Sequence, residues 1–368
     1  LIRRTTDLSA AARAGFDAIL DVRSPAEFAE DHIPGAINLP VLDDAERAEI
    51  GTIYVQRSKF LARRLGAAKV ARNIAAHLDG ALKDRDGSFR PLVHCWRGGQ
   101  RSGAMAAVMD QIGWPVTVLD GGYMTWRRTV QAALYGELAW SVVLLDGGTG
   151  SGKTALLERL AARGIQTLDL EGLAAHRGSL FGAVKDRPQP SQKLFESRLC
   201  EALKGLDPAR PIVVEAESSR IGARTVPPGL WAAMGRAGVI ELSAPVEARA
   251  AWSTRVYADI AADVGALETA LGRLPPHHSK ETVAGWKAMA RAGQTEALAA
   301  ALIAEHYDPA YRRMSARRDR PVLGRIEMAE VSDAELDRAA DGVAALVILD
   351  RHLGLDPRIG RAGSPRRM

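Results

Sequence analysis

The sequence predicts two α/β units in tandem, the second trailing a helix-rich extension. Three observations carry this. Short apolar runs alternate with helical stretches through the first third of the chain, and a fresh strand–helix series opens at residue 140. A glycine-rich loop then stands between the first strand and first helix of that second series. At 368 residues the chain exceeds one ordinary core and suits two domains, and strands alternating with helices indicate parallel sheets. The boundaries read from these shifts are 1–130 for the first domain, 131–139 for a linker and 140–368 for the second.

Taken in order, DAILDVR (17–23) and GAINLP (35–40) read as strands. Residues 55–82 read as helical, because Phe60, Leu61, Leu65, Val70, Ile74 and Leu78 recur mostly at threes and fours. PLVHC (91–95) is a short buried strand, SGAMAAVMDQIG (102–113) a helix ending on Gly113, and TVLDGG (117–122) a strand with a glycine turn. Residues 129–139 are weakly patterned and read as a connection. In the second series WSVVLLD (140–146) is a buried strand and TALLERLAARG (154–164) a helix closed by Gly164. IQTLDL, PIVVEAE and GVIELSA supply three further strands, and beyond Val246 the chain is helix-rich, with Trp286 on a packing face.

Composition limits the function classes. The chain is 47% hydrophobic and 25% charged, with no run near the roughly 18 apolar residues of a membrane span, so no membrane partner is expected. The opening residues lack a sustained apolar stretch, so a signal peptide is not expected there. Cys95 and Cys200 are the only cysteines and no CxxC pair exists, which argues against a thiolate metal site and fits a reducing, cytoplasmic setting. A net charge of +5, concentrated in 312–320 and the last residues, suits an anionic partner and equally a solvated surface.

Gly147-Gly148-Thr149-Gly150-Ser151-Gly152-Lys153-Thr154 matches GxxxxGK[ST] between a strand and a helix, the context that makes it a phosphate-binding P-loop. Gly147, Gly150, Ser151 and Gly152 let backbone N–H groups converge on phosphate oxygens at a helix N-terminus. Lys153 supplies a point charge, and Thr154 could ligate Mg²⁺. Glu215 and Asp169, each ending an apolar run, are rival acidic groups for the metal side; either could equally be a surface carboxylate. The loop recognises a diphosphate and does not specify what is attached to it.

Cys95-Trp96-Arg97-Gly98-Gly99-Gln100-Arg101-Ser102 also runs from a buried strand into a helix. Gly98 and Gly99 leave N–H groups aimed at an anion, while the helix N-terminus with Arg97 and Arg101 lowers the thiol pKa. The result is a nucleophile able to accept sulfur, selenium or a phosphoryl group. Cys200, inside QKLFESRLCEALKGL without a glycine loop, reads as structural filler.

These motifs resemble those of rhodaneses. LDVRSPAEFAEDHIPGAINLP (20–40), with Asp21, Arg23, Glu27 and His32, is similar to their N-terminal signature, and VLDGGYMTW (118–126) to their closing motif. Arg101 stands six positions after the cysteine where simple sulfur transferases commonly use five, so the loop is roomier and resembles that of dual-specificity phosphatases. Sulfur transfer, phosphate hydrolysis and transfer from a selenophosphate-like donor stay open on the loop alone.

A rhodanese-like domain with CWRGGQRS, followed by a P-loop domain, resembles the tRNA 2-selenouridine synthases. LEGLAAHRGSLFG (170–182), PQPSQKLFE (188–196), VVEAESSRIG (213–222) and HYDPAY (306–311) are similar to that family too. The resemblance implies a rhodanese-like α/β domain followed by a P-loop NTPase-like α/β domain with a helical C-terminal extension. It further implies a tRNA selenotransferase and geranyltransferase. The wobble 2-thiouridine in the anticodon arm is S-geranylated from geranyl diphosphate, and selenium from selenophosphate displaces the sulfur. No tightly bound cofactor is implied, with Mg²⁺ the one metal to consider. Cys95 would serve the selenium step and Lys153 the departing pyrophosphate. Arg177, Lys185, Arg187 and Lys193 lie in a basic, glycine- and proline-interrupted stretch that reads as a lid or tRNA contact, or equally as a surface loop. His277-His278 suggests a metal, but without acidic or cysteine neighbours a solvated loop pair is the better reading. Rival functions are an ATP-dependent kinase fused to a sulfur carrier, and a phosphatase-like regulator with a nucleotide sensor. A catalytically silent RNA-binding module fits poorly, because both loops keep their reactive residues.

Overall fold

Two parallel five-stranded sheets organise the chain in a computed structural model that describes residues 2–353 except 180, 185–186, 217, 275–277 and 316–319. The first contains β1 (Arg3–Thr5), β2 (Ala18–Asp21), β3 (Ile37–Asn38), β4 (Pro91–His94) and β5 (Thr117–Leu119), in the order β1-β5-β4-β2-β3. Central β4 is buried at every position, as a parallel strand covered on both faces requires. β1 was not anticipated: Arg3-Arg4-Thr5 has no apolar signature and becomes a strand only by pairing with β5.

The helical stretch read at 55–82 contains the helix Lys59–Asp79, and a separate helix, Asp44–Gln56, precedes it. Local capping explains the difference. Asp43 accepts from the Glu46 N–H at 2.7 Å with Glu46 reaching back to the Asp43 N–H, and Ser58 restarts the chain by accepting from Leu61 at 3.3 Å. Residues 129–135, read as part of a connection, complete the helix Tyr123–Tyr135. Its Trp126, Val130 and Leu134, four apart, are wholly buried, an interval that the intervening polar residues conceal.

The second sheet contains β6 (Val142–Gly147), β7 (Gln166–Leu168) and β8 (Ile212–Glu215). A small hairpin of β9 (Arg220–Ile221) and β10 (Arg224–Thr225) follows, then β11 (Gly238–Ser243) and β12 (Val322–Glu327). The sheet order is β12-β11-β6-β8-β7. β12 interrupts the helix-rich extension; it is an edge strand, partly exposed, with Arg325 Nε donating to Glu241 on β11 at 2.7 Å. The helix Asp333–Leu353 then lays Leu336, Ala339, Ala340, Val343 and Val347 into the same core as Leu156, Leu157 and Leu160 of the helix Lys153–Ala162. Trp286 is buried with Leu267, Leu271, Leu298 and Leu302 in a separate helical cluster of this unit.

Contacts divide the chain into two units, one of Leu1–Ala133 with Pro190–Lys204, the other of Leu134–Gln189 with the residues from Gly205 on. The helix Gln192–Lys204 therefore belongs with the first sheet, although it lies deep within the sequence assigned to the second domain. Its reasons are specific: Trp126 Nε1 donates to Ser197 Oγ at 2.9 Å, Arg127 pairs with Glu196, and Arg13 Nη2 donates to Glu201 at 2.5 Å. Cys200 is buried on this helix and burial pushes its thiol pKa up, as suits structural packing. No described helix is long and apolar enough to cross a membrane.

Trp126→Ala removes a wholly buried side chain and the partner of Ser197. We expect a loss of about 3–5 kcal/mol from the first unit, read as a lowered urea midpoint by far-UV circular dichroism. A midpoint within error of the wild type would show that Trp126 does not anchor the inserted helix.

Candidate functional site

Reactive loops leave the carboxyl ends of β4 and β6, the edge at which open parallel sheets bind ligands. In the first unit the loop turns from His94 through Cys95 into the helix Gln100–Ile112. Gly98 adopts φ +69°, and a Cβ there would lie 2.7 Å from the Leu119 carbonyl oxygen. Gly122, at φ +57°, comes closer still: a Cβ would meet the Cys95 carbonyl oxygen at 2.3 Å and the Gly98 nitrogen at 2.5 Å. The closing motif thus forms the floor of the cysteine loop. Its Tyr123 and Met124 N–H groups donate to the carbonyls of Cys95 and Trp96 at 2.8 and 3.2 Å.

Cys95 is buried, with Sγ 3.3 Å from Ser102 Oγ. Burial pushes the thiol pKa up. Hydrogen bonds from the Ser102 side chain and backbone, the Arg101 charge and the Arg97 N–H outweigh it, and the net pKa lies below the ordinary value. Arg101 is held by a two-pronged ion pair to Glu27, at 2.5 and 3.1 Å. The Arg97 side chain and Gly99 are exposed at the loop rim. Asp21 and Arg23 form a buried ion pair at 2.6 Å, and the Arg23 guanidinium lies 4.1 Å from the Tyr123 ring centroid. The N-terminal signature therefore reaches the reactive loop through Glu27, while Asp21 and Arg23 secure the frame. Glu27 and Ser102 stood inside quoted motifs, but their positioning roles appear only from the fold.

In the second unit Gly150 and Gly152 take φ +81° and +76°, and Gly152 caps the helix Lys153–Ala162. A Cβ on Gly150 would meet the Arg249 carbonyl oxygen at 2.5 Å, and Gly147 backs onto Ser151 Oγ. Lys153 Nζ donates to the Gly147 carbonyl at 2.8 Å, folding its charge over the loop. Thr154 Oγ1 donates to Glu215 Oε1 at 3.3 Å, and Glu215, wholly buried, also accepts from the Leu170 N–H at 3.2 Å. Asp169 lines the same cleft but caps the helix Leu170–Ala174 by accepting from the Gly172 N–H at 2.7 Å. A hydroxyl and a carboxylate oxygen converging at Thr154 and Glu215 suit a hard cation such as Mg²⁺. Among the described residues no group of three or more His, Cys, Asp or Glu is arranged to hold a metal.

The cleft above this loop measures about 570 Å³ and is also lined by Arg177 and Arg187. Arg177 forms two 3.0 Å hydrogen bonds with Asp259 and lies 5.3 Å from the Tyr257 ring centroid; Arg187 is exposed. Ser151 and Ser253 are each more than nine-tenths buried, and their hydroxyls have no hydrogen-bond partner among the described residues. Both face the phosphate loop, Ser253 Oγ standing 2.6 Å from where a Gly150 Cβ would be. Arg249 was not foreseen. It clamps the loop from behind by donating to the Thr149 carbonyl at 3.2 Å while paired with Asp308, of the HYDPAY stretch, at 2.7 and 2.9 Å. No local motif marks Arg249, because it reaches the loop across 100 residues of chain.

Lys193 sits on the helix grouped with the first unit and pairs with Glu30 at 2.6 Å. His278 is not simply solvated: it is half-buried, within 3.0 Å of His306 and edge-on to Trp286. Asp169 caps the helix Leu170–Ala174, whereas Glu215 accepts from Thr154 Oγ1. Lys185 and His277 lie outside the described residues.

Comparison with known proteins gives two family matches. Residues 5–129 match the rhodanese-like domain, and residues 140–274 match the tRNA 2-selenouridine synthase AAA domain. The chain is similar to the tRNA 2-selenouridine synthase of Cupriavidus pinatubonensis, 32% identical over 357 residues, which cover 88% of this chain and 95% of that protein. The synthase of Cupriavidus necator is 35% identical over 264 residues, 68% of this chain and 70% of its own length. That of Shewanella halifaxensis is 36% identical over 242 residues, 63% of this chain and 64% of its own length.

Ser102→Ala removes hydrogen bonding that lowers the Cys95 pKa. We expect the pH midpoint of Cys95 alkylation by iodoacetamide, followed by peptide mass spectrometry, to rise. An unchanged midpoint would show that Ser102 does not tune the thiol.

Proposed function

The chain belongs to the tRNA 2-selenouridine synthase family, and on that premise we propose that it exchanges the 2-sulfur of wobble 2-thiouridine, in the tRNA anticodon arm, for selenium. The observation that carries the proposal is the coexistence, in one chain, of a thiol with a lowered pKa and a phosphate cradle bearing Lys153. Each loop seeks an anion, and the proposed chemistry has two anionic co-substrates.

In the first step the thiocarbonyl sulfur attacks the allylic carbon of geranyl diphosphate; a C–S bond forms as the C–O bond breaks, and pyrophosphate leaves. The N–H groups of the loop 147–154 and Lys153 bind the departing charge, which is where such a reaction gains most from fixed dipoles. Thr154 and Glu215 would hold Mg²⁺, and that ion would supply further neutralisation of the diphosphate. Alkylation turns a poor leaving group into a good one. In the second step selenium from selenophosphate adds at the same base carbon, the sulfur departs as the geranyl thiol, and water takes up the phosphoryl group. Cys95, with Gly98, Gly99, Arg97 and Arg101 around it, serves that step as selenium carrier or as part of the selenophosphate site. Arg177 and Arg187, which line the cleft, would offer positive charge to tRNA phosphates. A free, low-pKa thiol suits a reducing cytoplasm.

Nucleoside mass spectrometry of 2-thiouridine tRNA incubated with the protein, geranyl diphosphate and selenophosphate is the test. Cys95→Ser should abolish selenouridine while S-geranylthiouridine still forms, and Lys153→Ala should stall geranylation. Loss of both products in Cys95→Ser, or normal geranylation in Lys153→Ala, would refute this division of labour. Unchanged tRNA with ATP turnover would replace the proposal by a kinase-like activity.

A further inference from the structure

We propose that a groove in the first unit, beside the reactive cysteine loop, binds the unpaired nucleotides flanking the wobble base, with aromatic and aliphatic side chains under the bases and arginines on the phosphates. The inference rests on reading tRNA as the substrate, and it assigns the surface that holds the anticodon loop near Cys95.

The helices Asp44–Gln56 and Lys59–Asp79 pack together and border a groove of about 610 Å³. Ile50, Tyr54, Val55 and Val70 line it with carbon, and Arg47 and Arg63 line it with charge. Gln100, Arg101 and Ala104 line it too. These three belong to the helix that follows the cysteine loop, and Arg101 is the residue whose charge helps to lower the Cys95 pKa. The groove therefore reaches the reactive loop.

Charge and exposure define its occupant. Residues 50–78 contain six lysines and arginines and no aspartate or glutamate. Lys69 is paired with Glu46 and Glu49, at 3.8 and 3.2 Å, and Arg47 stands 4.0 Å from Glu27. Arg57, Lys59, Arg63 and Arg64 are exposed and form no ion pair among the described residues. Among these charges Tyr54 is 42%, Val55 82% and Phe60 76% exposed, so large apolar surface faces water within one short stretch. Lys59 Nζ lies 5.8 Å from the Tyr54 ring centroid, which sets a cation beside an aromatic face. Cations interleaved with ring faces match a single strand of RNA, whose phosphates alternate with bases free to stack. An apolar peptide would leave the arginines without partners, and a duplex would hide its base faces. A wobble base meets a reactive loop only when splayed out of its own stack, and its neighbours then need new faces to stack on.

Fluorescence anisotropy of the full chain with a labelled anticodon stem–loop RNA, over a range of salt, tests the groove. Tyr54→Ala should weaken binding about five- to a hundredfold, the range of one lost base stack, and Tyr54→Phe should bind as the wild type because it keeps the ring. Arg63→Ala should flatten the slope of log affinity against log salt by about 0.7, as for one single-strand phosphate. Tyr54→Ala should leave the affinity for an RNA duplex of equal length unchanged. The pH midpoint of Cys95 alkylation should stay at its wild-type value in each variant, showing the reactive loop intact. Should Tyr54→Ala not fold, Phe60→Ala takes its place with the same expectation. Unchanged stem–loop affinity, a loss in Arg63→Ala alone, or equal losses for stem–loop and duplex would overturn the groove and leave the RNA substrate standing. A polyglutamate peptide that binds tighter than the stem–loop, and loses affinity in Tyr54→Ala, would assign the groove to an acidic protein segment instead. Failure of the wild type to bind the stem–loop would remove the tRNA reading, and the groove with it.

Discussion

Both reactive loops depend on backbone approaching backbone more closely than any side chain permits. Gly122 lies so near the Cys95 carbonyl and the Gly98 nitrogen that a methyl group would overlap both, and Gly150 bears the same relation to the Arg249 carbonyl. Such contacts put main-chain dipoles, rather than mobile side chains, around the space where an anion belongs. Substitution at Gly122 would lift the cysteine loop from its floor even though Cys95 itself were intact.

Around these loops, charge is fixed by second partners. Arg101 faces Cys95 electrostatically because Glu27 holds its guanidinium, and Arg249 reaches the Thr149 carbonyl because Asp308 neutralises it. A buried arginine without its carboxylate would be costly, so each pair is stable only as a whole. Lys153, by contrast, donates to a neutral acceptor, the Gly147 carbonyl oxygen.

The loop at 147–154 offers N–H groups and charge. In sequence the helices after Val246 read as a helix-rich extension. Through Ser253, Tyr257 and Tyr307 they supply one wall of the phosphate cleft itself.

Most strands, the two glycine loops and Cys95, Lys153 and Thr154 were legible from residues alone, because each rests on short-range rules: buried apolar runs for strands, glycines for positive φ, and a helix start after each loop. The family resemblance was legible for the same reason, since its motifs are contiguous. What sequence could not supply lies between distant segments. β1 and β12 exist because a neighbouring strand pairs with them, and the helix Gln192–Lys204 joins the first unit through Trp126 and Arg127. That placement pairs Lys193 with Glu30, and the hydrogen bond to Thr154 distinguishes Glu215 from the helix cap Asp169. The sequence by itself determined which local chemistries the chain carries. Only the tertiary structure decided which side chains share a site, because burial, ion pairing and strand pairing act across the fold and leave no period in the chain.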